Sequence, residues 1–220
     1  YGTMDYYIYG NDGDDFIYNY GTVNFYINGG SNDDIVYNYG VVIDDIYGSN
    51  GTDTLILGQG SSTGVDVRDF EYISTLGSLS IGGDLNLADL IAMDVVMADN
   101  STPLSLGTLS NIGGTLEVSV TSGAWSDGQT VDVFSTGSAT GFSSEAVSDS
   151  SLIFSFSIAN AQVTADRTES FSEVVSGADD NIREIATLFD NGADDPSGDL
   201  AAIYSYLNFA SSAEMADAFK

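Results

Sequence analysis

Residues 1–57 are one 19-residue phrase written three times without insertion or loss. YGTMDYYIYGNDGDDFIYN (Tyr1–Asn19) is followed by YGTVNFYINGGSNDDIVYN (Tyr20–Asn38) and then by YGVVIDDIYGSNGTDTLIL (Tyr39–Leu57). Each copy opens on Tyr-Gly and carries Ile at its eighth position, Gly at its tenth and Asp at its fifteenth. A unit this short cannot enclose a core. It buries its apolar side only against the next copy, so a strict period near 20 residues prescribes a solenoid.

The residue types select the kind of solenoid. Tyr, Phe, Ile and Val alternate with Gly and Asn, and no 3.6-residue apolar rhythm runs through the copies. Two short strands joined by Gly-rich turns are predicted for each copy, giving a parallel β-helix. Coils stacked about 4.8 Å apart place equivalent residues in ladders. Ile8, Ile27 and Ile46 form one inward column and Ile17, Val36 and Leu55 the other. Tyr1, Tyr20 and Tyr39 form an aromatic ladder, as do Tyr18 and Tyr37. Gly10, Gly29 and Gly48 are expected at the corner, where positive φ favours glycine.

The same stacking lines up Asp15, Asp34 and Asp53, with Asp12, Asp14 and Asp33 beside them. Two carboxylates about 5 Å apart repel by about 3 kcal/mol at an effective dielectric of 20. Such a column must bind cations, raise its pKa values or splay into solvent. The turns GNDGDDFIY (Gly10–Tyr18), GGSNDDIVY (Gly29–Tyr37) and GSNGTDTLI (Gly48–Ile56) resemble the RTX nonapeptide G-G-x-G-x-D-x-U-x. That resemblance implies calcium as a cofactor, held by Asp15, Asp34 and Asp53 with help from Asp12, Asp14 and Asp33. Two departures limit it. The opposite edge (Asn19–Asn28, Asn38–Tyr47) lacks the motif, so at most one ion column is implied, and Asn32 replaces the second Gly in copy two.

Composition narrows the partners. The chain has 33 acidic residues against Arg68, Arg167, Arg183 and Lys220, a formal charge of −29. That field repels nucleic acid and anionic lipid and favours cations. With no Cys and no His, thiol, zinc and His-dependent triad chemistry are absent. No apolar run is long enough for a membrane-spanning helix. A first coil in phase at Tyr1 would present a bare edge, so the expectation is the C-terminal part of a longer polypeptide, or a coil stacked on another subunit.

Between Gly58 and Ala165 the repeat dissolves while strand alternation continues, at Leu79/Ile81, Leu116/Val118/Val120, Val131/Val133 and Leu152/Phe154/Phe156/Ile158. Irregular coils of the same solenoid are expected over 58–165. From Phe70-Glu71-Tyr72-Ile73 onward, SNIGGTLEVSV (Ser110–Val120) and GAWSDGQTVDVFSTGSATGFSSEAV (Gly123–Val147) resemble the closing coils of bacterial autotransporter (type V secretion) passenger domains. That resemblance implies a Gram-negative cell surface or extracellular location, and an outer-membrane barrel C-terminal to this region. Trp125 is expected to pack in the cap.

Over 166–220 the period becomes helical. Phe171, Val174, Val175, Ala178, Ile182, Ile185, Ala186 and Phe189 form one apolar stripe. Ser170 and Glu173 make a capping box, and Gly192 marks the end. Asp194-Asp195-Pro196 breaks the chain, Ser197 caps a second helix, and Ser211/Glu214 open a third.

The fold expected is therefore mainly β: a right-handed parallel β-helix with a small α-helical cap. Its expected role is non-enzymatic, that of an extracellular structural protein mediating adhesion, self-association or a surface filament. Ten of the thirteen tyrosines lie in the triple repeat, which makes Tyr1, Tyr18, Tyr20, Tyr37 and Tyr39 the interaction surface, toward another copy or a surface ligand. Two other readings stand beside it. One is a polysaccharide-active β-helix enzyme using paired carboxylates such as Asp33-Asp34 or Asp44-Asp45, disfavoured by the absence of any basic residue in the repeat. The other is a passive stalk for a catalytic head upstream of residue 1.

Overall fold

The computed structural model describes residues 2–191 and 199–219. It is a β-solenoid of about six turns closed by a small sheet and short helices. Coil one comprises β1 (Thr3–Met4), β2 (Ile8–Asp12) and β3 (Phe16–Asn19). Coil two repeats it as β4 (Thr22–Val23), β5 (Ile27–Ser31) and β6 (Ile35–Asn38), and coil three as β7 (Val41–Val42), β8 (Ile46–Asn50) and β9 (Thr54–Leu57). Each copy thus contributes three strands rather than the predicted two, and the cross-section is a triangle. The extra strand is only two residues long, too short to carry a period-2 signature.

Strands pair in parallel with their equivalents, Ile8 to Ile27 to Ile46 on one face and Ile17 to Val36 to Leu55 on another. Both predicted inward columns are in place. Coil four holds β10 (Ser62–Thr63), β11 (Val67–Arg68) and β12 (Tyr72–Thr75). In coil five the first two strands fuse into β13 (Leu79–Asn86), whose halves pair with β10 and β11, and β14 (Ala92–Met97) follows. β15 (Leu104–Ser110) and β16 (Thr115–Val120) form coil six. Register steps lengthen along the axis, from 19 residues between Asn19 and Asn38 to 29 between Ser119 and Ser148.

The closing region departs from the expectation of further coils. β17 (Gln129–Asp132), β19 (Phe154–Ala159) and β20 (Gln162–Arg167) form an antiparallel sheet, while β18 (Ser144–Asp149) extends the parallel face beside β16. Alternation of apolar residues is the same signal in both arrangements. Trp125 is buried edge-on to Phe156 and donates its indole N–H to the Ser122 carbonyl, 3.1 Å. It packs in the cap, as expected.

Helices α1 (Phe171–Val174), α2 (Asp180–Asp190), α3 (Asp199–Leu207) and α4 (Ser212–Ala218) complete the cap. The single predicted stripe is broken between α1 and α2 around Gly177. The capping boxes at Ser170/Glu173 and Ser211/Glu214 both form. Asp190 ties the two pieces together: it accepts the Phe171 amide at 2.7 Å and pairs with Arg167 at 2.9 Å. Phe171, Phe189, Tyr204 and Phe219 make the aromatic centre of this cap. Tyr1, Gly192, the Asp194-Asp195-Pro196 break and the Ser197 cap lie outside the described residues.

Candidate functional site

Two features of the first four coils hold the unusual chemistry: a buried carboxylate column and an exposed aromatic face.

The carboxylate column sits at the turn between the second and third strands of each coil. Asp34 and Asp53 are fully buried and Asp15 is half-buried. Asp34, Asp53 and Glu71 each accept a backbone N–H of the coil before. Asp15 donates to Asp34 Oδ1 at 2.8 Å, Asp34 to Asp53 Oδ1 at 2.8 Å, and Asp53 to Glu71 Oε2 at 2.6 Å. Glu71 extends the column by one coil, a continuation that the 19-residue spacing does not reveal because the step to it is 18. These charge-assisted bonds stitch coil to coil without using the strand ladders.

The other oxygens tell a different story. Oδ2 of Asp15, Asp34 and Asp53 is buried and has no hydrogen-bond partner. All three lie against the glycines expected at the corner. A Cβ added to Gly10, Gly29 or Gly48 would meet that Oδ2 at 2.9, 2.6 or 2.7 Å and the carbonyl oxygen of the adjacent coil at 2.0, 2.8 or 1.8 Å. The reason for these glycines is therefore space, not φ, which corrects the sequence expectation. Positive φ falls instead on Asn11 and Gly13, on Gly30 and Asn32, and on Ser49 and Gly51, two positions per turn. Asn tolerates that conformation better than most residues, which explains Asn32 where the nonapeptide has Gly.

Burial is the main force on the acids. It raises the pKa of Asp34, with Asp15 and Asp14 adding to the rise, and raises that of Asp53 to about 6, with Asp34 and Glu71 adding; in each case the donated amide opposes it.

The remaining carboxylates expected to assist lie farther out. Asp14 Oδ1 accepts the Asp33 amide at 3.2 Å and Asp33 Oδ1 the Thr52 amide at 2.8 Å, so this outer row runs antiparallel in sense to the inner one. Asp12 is exposed at the end of β2. Among the described residues, no three acidic side chains gather as a metal cluster does. A second acidic ladder, which the 19-residue count misses, runs at another corner: Asp66 donates its amide to Asp45 and Asp84 to Asp66, each at 2.8 Å. Asp34 and Asp45, each from one of the pairs considered for glycoside hydrolysis, are thus both committed to backbone amides.

The aromatic face lies on the sheet of β3, β6, β9 and β12. Residues alternate across it, so its outward rows are Phe16–Ile35–Thr54–Tyr72 and Tyr18–Tyr37–Ile56–Ser74. Over these four strands neither row contains an acidic or basic residue; the second row continues into Asp94 of β14 and Glu117 of β16. Tyr18 and Tyr37 stack at 4.5 Å with their planes 5° apart, and at the next corner Tyr20 and Tyr39 stack at 5.1 Å and 6°. Gly58 keeps the third corner position clear, since a Cβ there would lie 2.2 Å from the Tyr39 ring. Between the stacked rows, Asn19 donates to Asn38 Oδ1 at 2.8 Å inside the fold. The structure thus joins Tyr18, Tyr20, Tyr37 and Tyr39 in one surface.

No protein-family model, curated protein or solved structure matches the chain.

Proposed function

We propose that this is a non-catalytic, extracellular structural rod whose aromatic face mediates self-association. One observation carries the reading: Phe16, Tyr18 and Tyr20 are 63%, 53% and 54% exposed, at the end of the face where β3, β6, β9 and β12 present no charge, in a chain of net charge −29. With roughly half of its surface exposed, each such ring forgoes about 1 kcal/mol of burial by facing water, and contiguous apolar patches of this kind mark contact surfaces. The stacking also speaks to the partner. Rings packed face to face along the axis turn their edges and hydroxyls outward, which disfavours sugar rings, whose usual contact is with an aromatic face. A second ladder with the same spacing of about 5 Å matches it best, and another copy of this chain supplies one. The like charges of two copies oppose the contact, so added salt strengthens it.

The resemblance of the later coils to autotransporter passengers supports, on this reading, a location at the surface of a Gram-negative bacterium, where the association would serve adhesion or filament formation. The test is sedimentation velocity in moderate salt on the wild type and on a variant with Tyr18→Ser, Tyr20→Ser, Tyr37→Ser and Tyr39→Ser. The wild type should associate with rising concentration and the variant should not. Equal behaviour of both, with the far-UV signal unchanged, refutes the reading.

A second reading concerns the carboxylate column and is favoured by the three unpaired Oδ2 atoms. A buried carboxylate oxygen without a donor calls for a proton or a cation, and calcium suits an all-oxygen site. Calorimetric titration of calcium into wild type and Asp34→Asn separates the two. Calcium uptake abolished by the substitution supports the ion; no uptake by the wild type leaves the proton.

A further inference from the structure

The tyrosine ladders bring phenols of neighbouring coils face to face. Tyr18 and Tyr37 stack at 4.5 Å with planes 5° apart, Tyr20 and Tyr39 at 5.1 Å and 6°, and Tyr7 and Tyr26 at 5.1 Å and 5°. The first and third pairs join coil one to coil two, and the second joins coil two to coil three. Tyr7, Tyr18, Tyr20 and Tyr39 are exposed to solvent, and Tyr26 and Tyr37 are half-buried. Ile56 follows Tyr37 in its row, and Gly58 leaves the next corner position beside Tyr39 without a ring. Among the described residues, Tyr37 and Tyr39 each have one stacked ring, that of the coil before.

Other tyrosines are placed differently. Tyr26 meets the next ring, Tyr47, at 5.9 Å and 58°, and Tyr47 is engaged elsewhere: its hydroxyl donates to Asp45 Oδ2, and the Arg68 guanidinium lies 4.6 Å from its ring centre. Tyr72 has Thr54 and Ala92 as its register neighbours. Tyr206, on the cap, stacks on no ring among the described residues. The chain has no Cys, so no disulfide can join one coil to the next.

We propose that the three stacked pairs are sites of oxidative cross-linking, each coupling to a dityrosine that staples neighbouring coils. The co-reactant is hydrogen peroxide acting through a haem peroxidase. Each phenol gives up one electron and its hydroxyl proton, and two phenols together reduce one peroxide to two waters. The two phenoxyl radicals pair their electrons in a new bond between one Cε of each ring. Each of those carbons then releases its hydrogen as a proton while its ring oxygen takes one up, which restores two phenols. Phenoxyl radicals couple by facing approach, with the new bond rising out of both ring planes, so the stack is the geometry of approach. Rings open to solvent on one side can then swing edge to edge as the biaryl forms. The staple closes a loop one repeat long, the covalent role a disulfide plays elsewhere. The inference concerns one chain alone and is independent of the self-association proposed above.

The test oxidises the full chain with a haem peroxidase and hydrogen peroxide, dilute and in low salt, where the charge of −29 keeps copies apart. Proteolysis and mass spectrometry should find Tyr18 linked to Tyr37, Tyr20 to Tyr39 and Tyr7 to Tyr26, each link lighter by two hydrogens. The product should emit dityrosine fluorescence and remain a monomer on a denaturing gel. It should melt roughly 6–12 °C higher, the shift expected for closing a loop of this length in a chain of this size. Tyr37→Phe, which keeps the ring and removes the oxygen, should abolish the link to Tyr18 and leave that between Tyr20 and Tyr39. The chain oxidised in urea should yield several-fold less of every link. Links formed only between chains, equal yields from the unfolded chain, or links at Tyr72 and Tyr206 as frequent as those within the pairs overturn the proposal. So does an unchanged Tm of the linked chain, which would deny the staple.

Discussion

Asp34→Asn separates charge from hydrogen bonding at the centre of the carboxylate column. The Asp34 carboxylate accepts the Asp15 amide through Oδ1 while Oδ2 is buried and unpaired. Asn keeps the acceptor and removes the charge. One ionised neighbour about 5 Å away in the adjacent coil costs about 3 kcal/mol at an effective dielectric of 20, and the substitution relieves that cost. Against it, the new amide N–H₂ replaces an Oδ2 that makes no hydrogen bond, and burying it without a full set of acceptors costs about 1–3 kcal/mol. Near neutral pH and in chelator the two nearly cancel, leaving the variant between equal to and about 2 kcal/mol more stable than wild type. At acid pH, below the ordinary carboxylate range, the wild-type carboxyls are protonated, so only the penalty remains and the variant is weaker by about 1–3 kcal/mol. Urea unfolding followed by far-UV dichroism and by Trp125 fluorescence at both pH values measures the difference. The variant should gain about 3 kcal/mol relative to wild type as pH rises. Two profiles separated by a constant offset would show that Asp34 carries no buried charge, and the electrostatic reasoning would fail. In calcium the sign reverses if an ion fills the column: the variant is then the weaker protein at neutral pH.

Other outcomes follow from the same geometry. Asp53, held to about pKa 6 by burial with Asp34 and Glu71 beside it, binds more protons folded than unfolded between its ordinary value and about 6. Its contribution is therefore complete below about pH 4 and is lost as pH rises through about 6. The full shift corresponds to about 3 kcal/mol, and roughly half of that is expected because the turn lies close to solvent; thermal melts in chelator across that window read it. Gly29→Ala should cost about 1–3 kcal/mol, since its Cβ would lie 2.6 Å from Asp34 Oδ2 and 2.8 Å from the Gly48 carbonyl oxygen. Gly2→Ala, with nothing within 4 Å, should leave Tm unchanged, and the pair compared by calorimetry tests whether space is what these glycines supply.

The legible part of the fold is the part where one period holds. Ile27 over Ile46 and Val36 over Leu55 follow from counting 19, as do the stacked Tyr18/Tyr37 and Tyr20/Tyr39 pairs. The third strand was hidden because Thr22–Val23 and Val41–Val42 present only two residues each, shorter than any pattern that tells strand from turn. Gly29 looked like a left-handed corner because glycine at a turn usually is one; its real neighbour, the Asp34 carboxylate, is set by the inward direction of a side chain five residues on. The Asp45–Asp66–Asp84 ladder escaped since its steps are 21 and 18 residues, outside the strict repeat. The antiparallel closure around Phe156 reads like one more coil until its partner strand is known, and the turn at Gly177 interrupts an apolar stripe that continues across it.

Hydroxyl-radical footprinting of the tyrosines at low and high protein concentration tests the self-association of the aromatic face most directly. Labelling of Tyr18, Tyr20, Tyr37 and Tyr39 should fall several-fold on concentration, while Tyr206, as exposed on the helical cap as Tyr20 is at 54%, keeps its labelling. Uniform labelling of all five at both concentrations, or protection confined to Tyr206, would contradict the account.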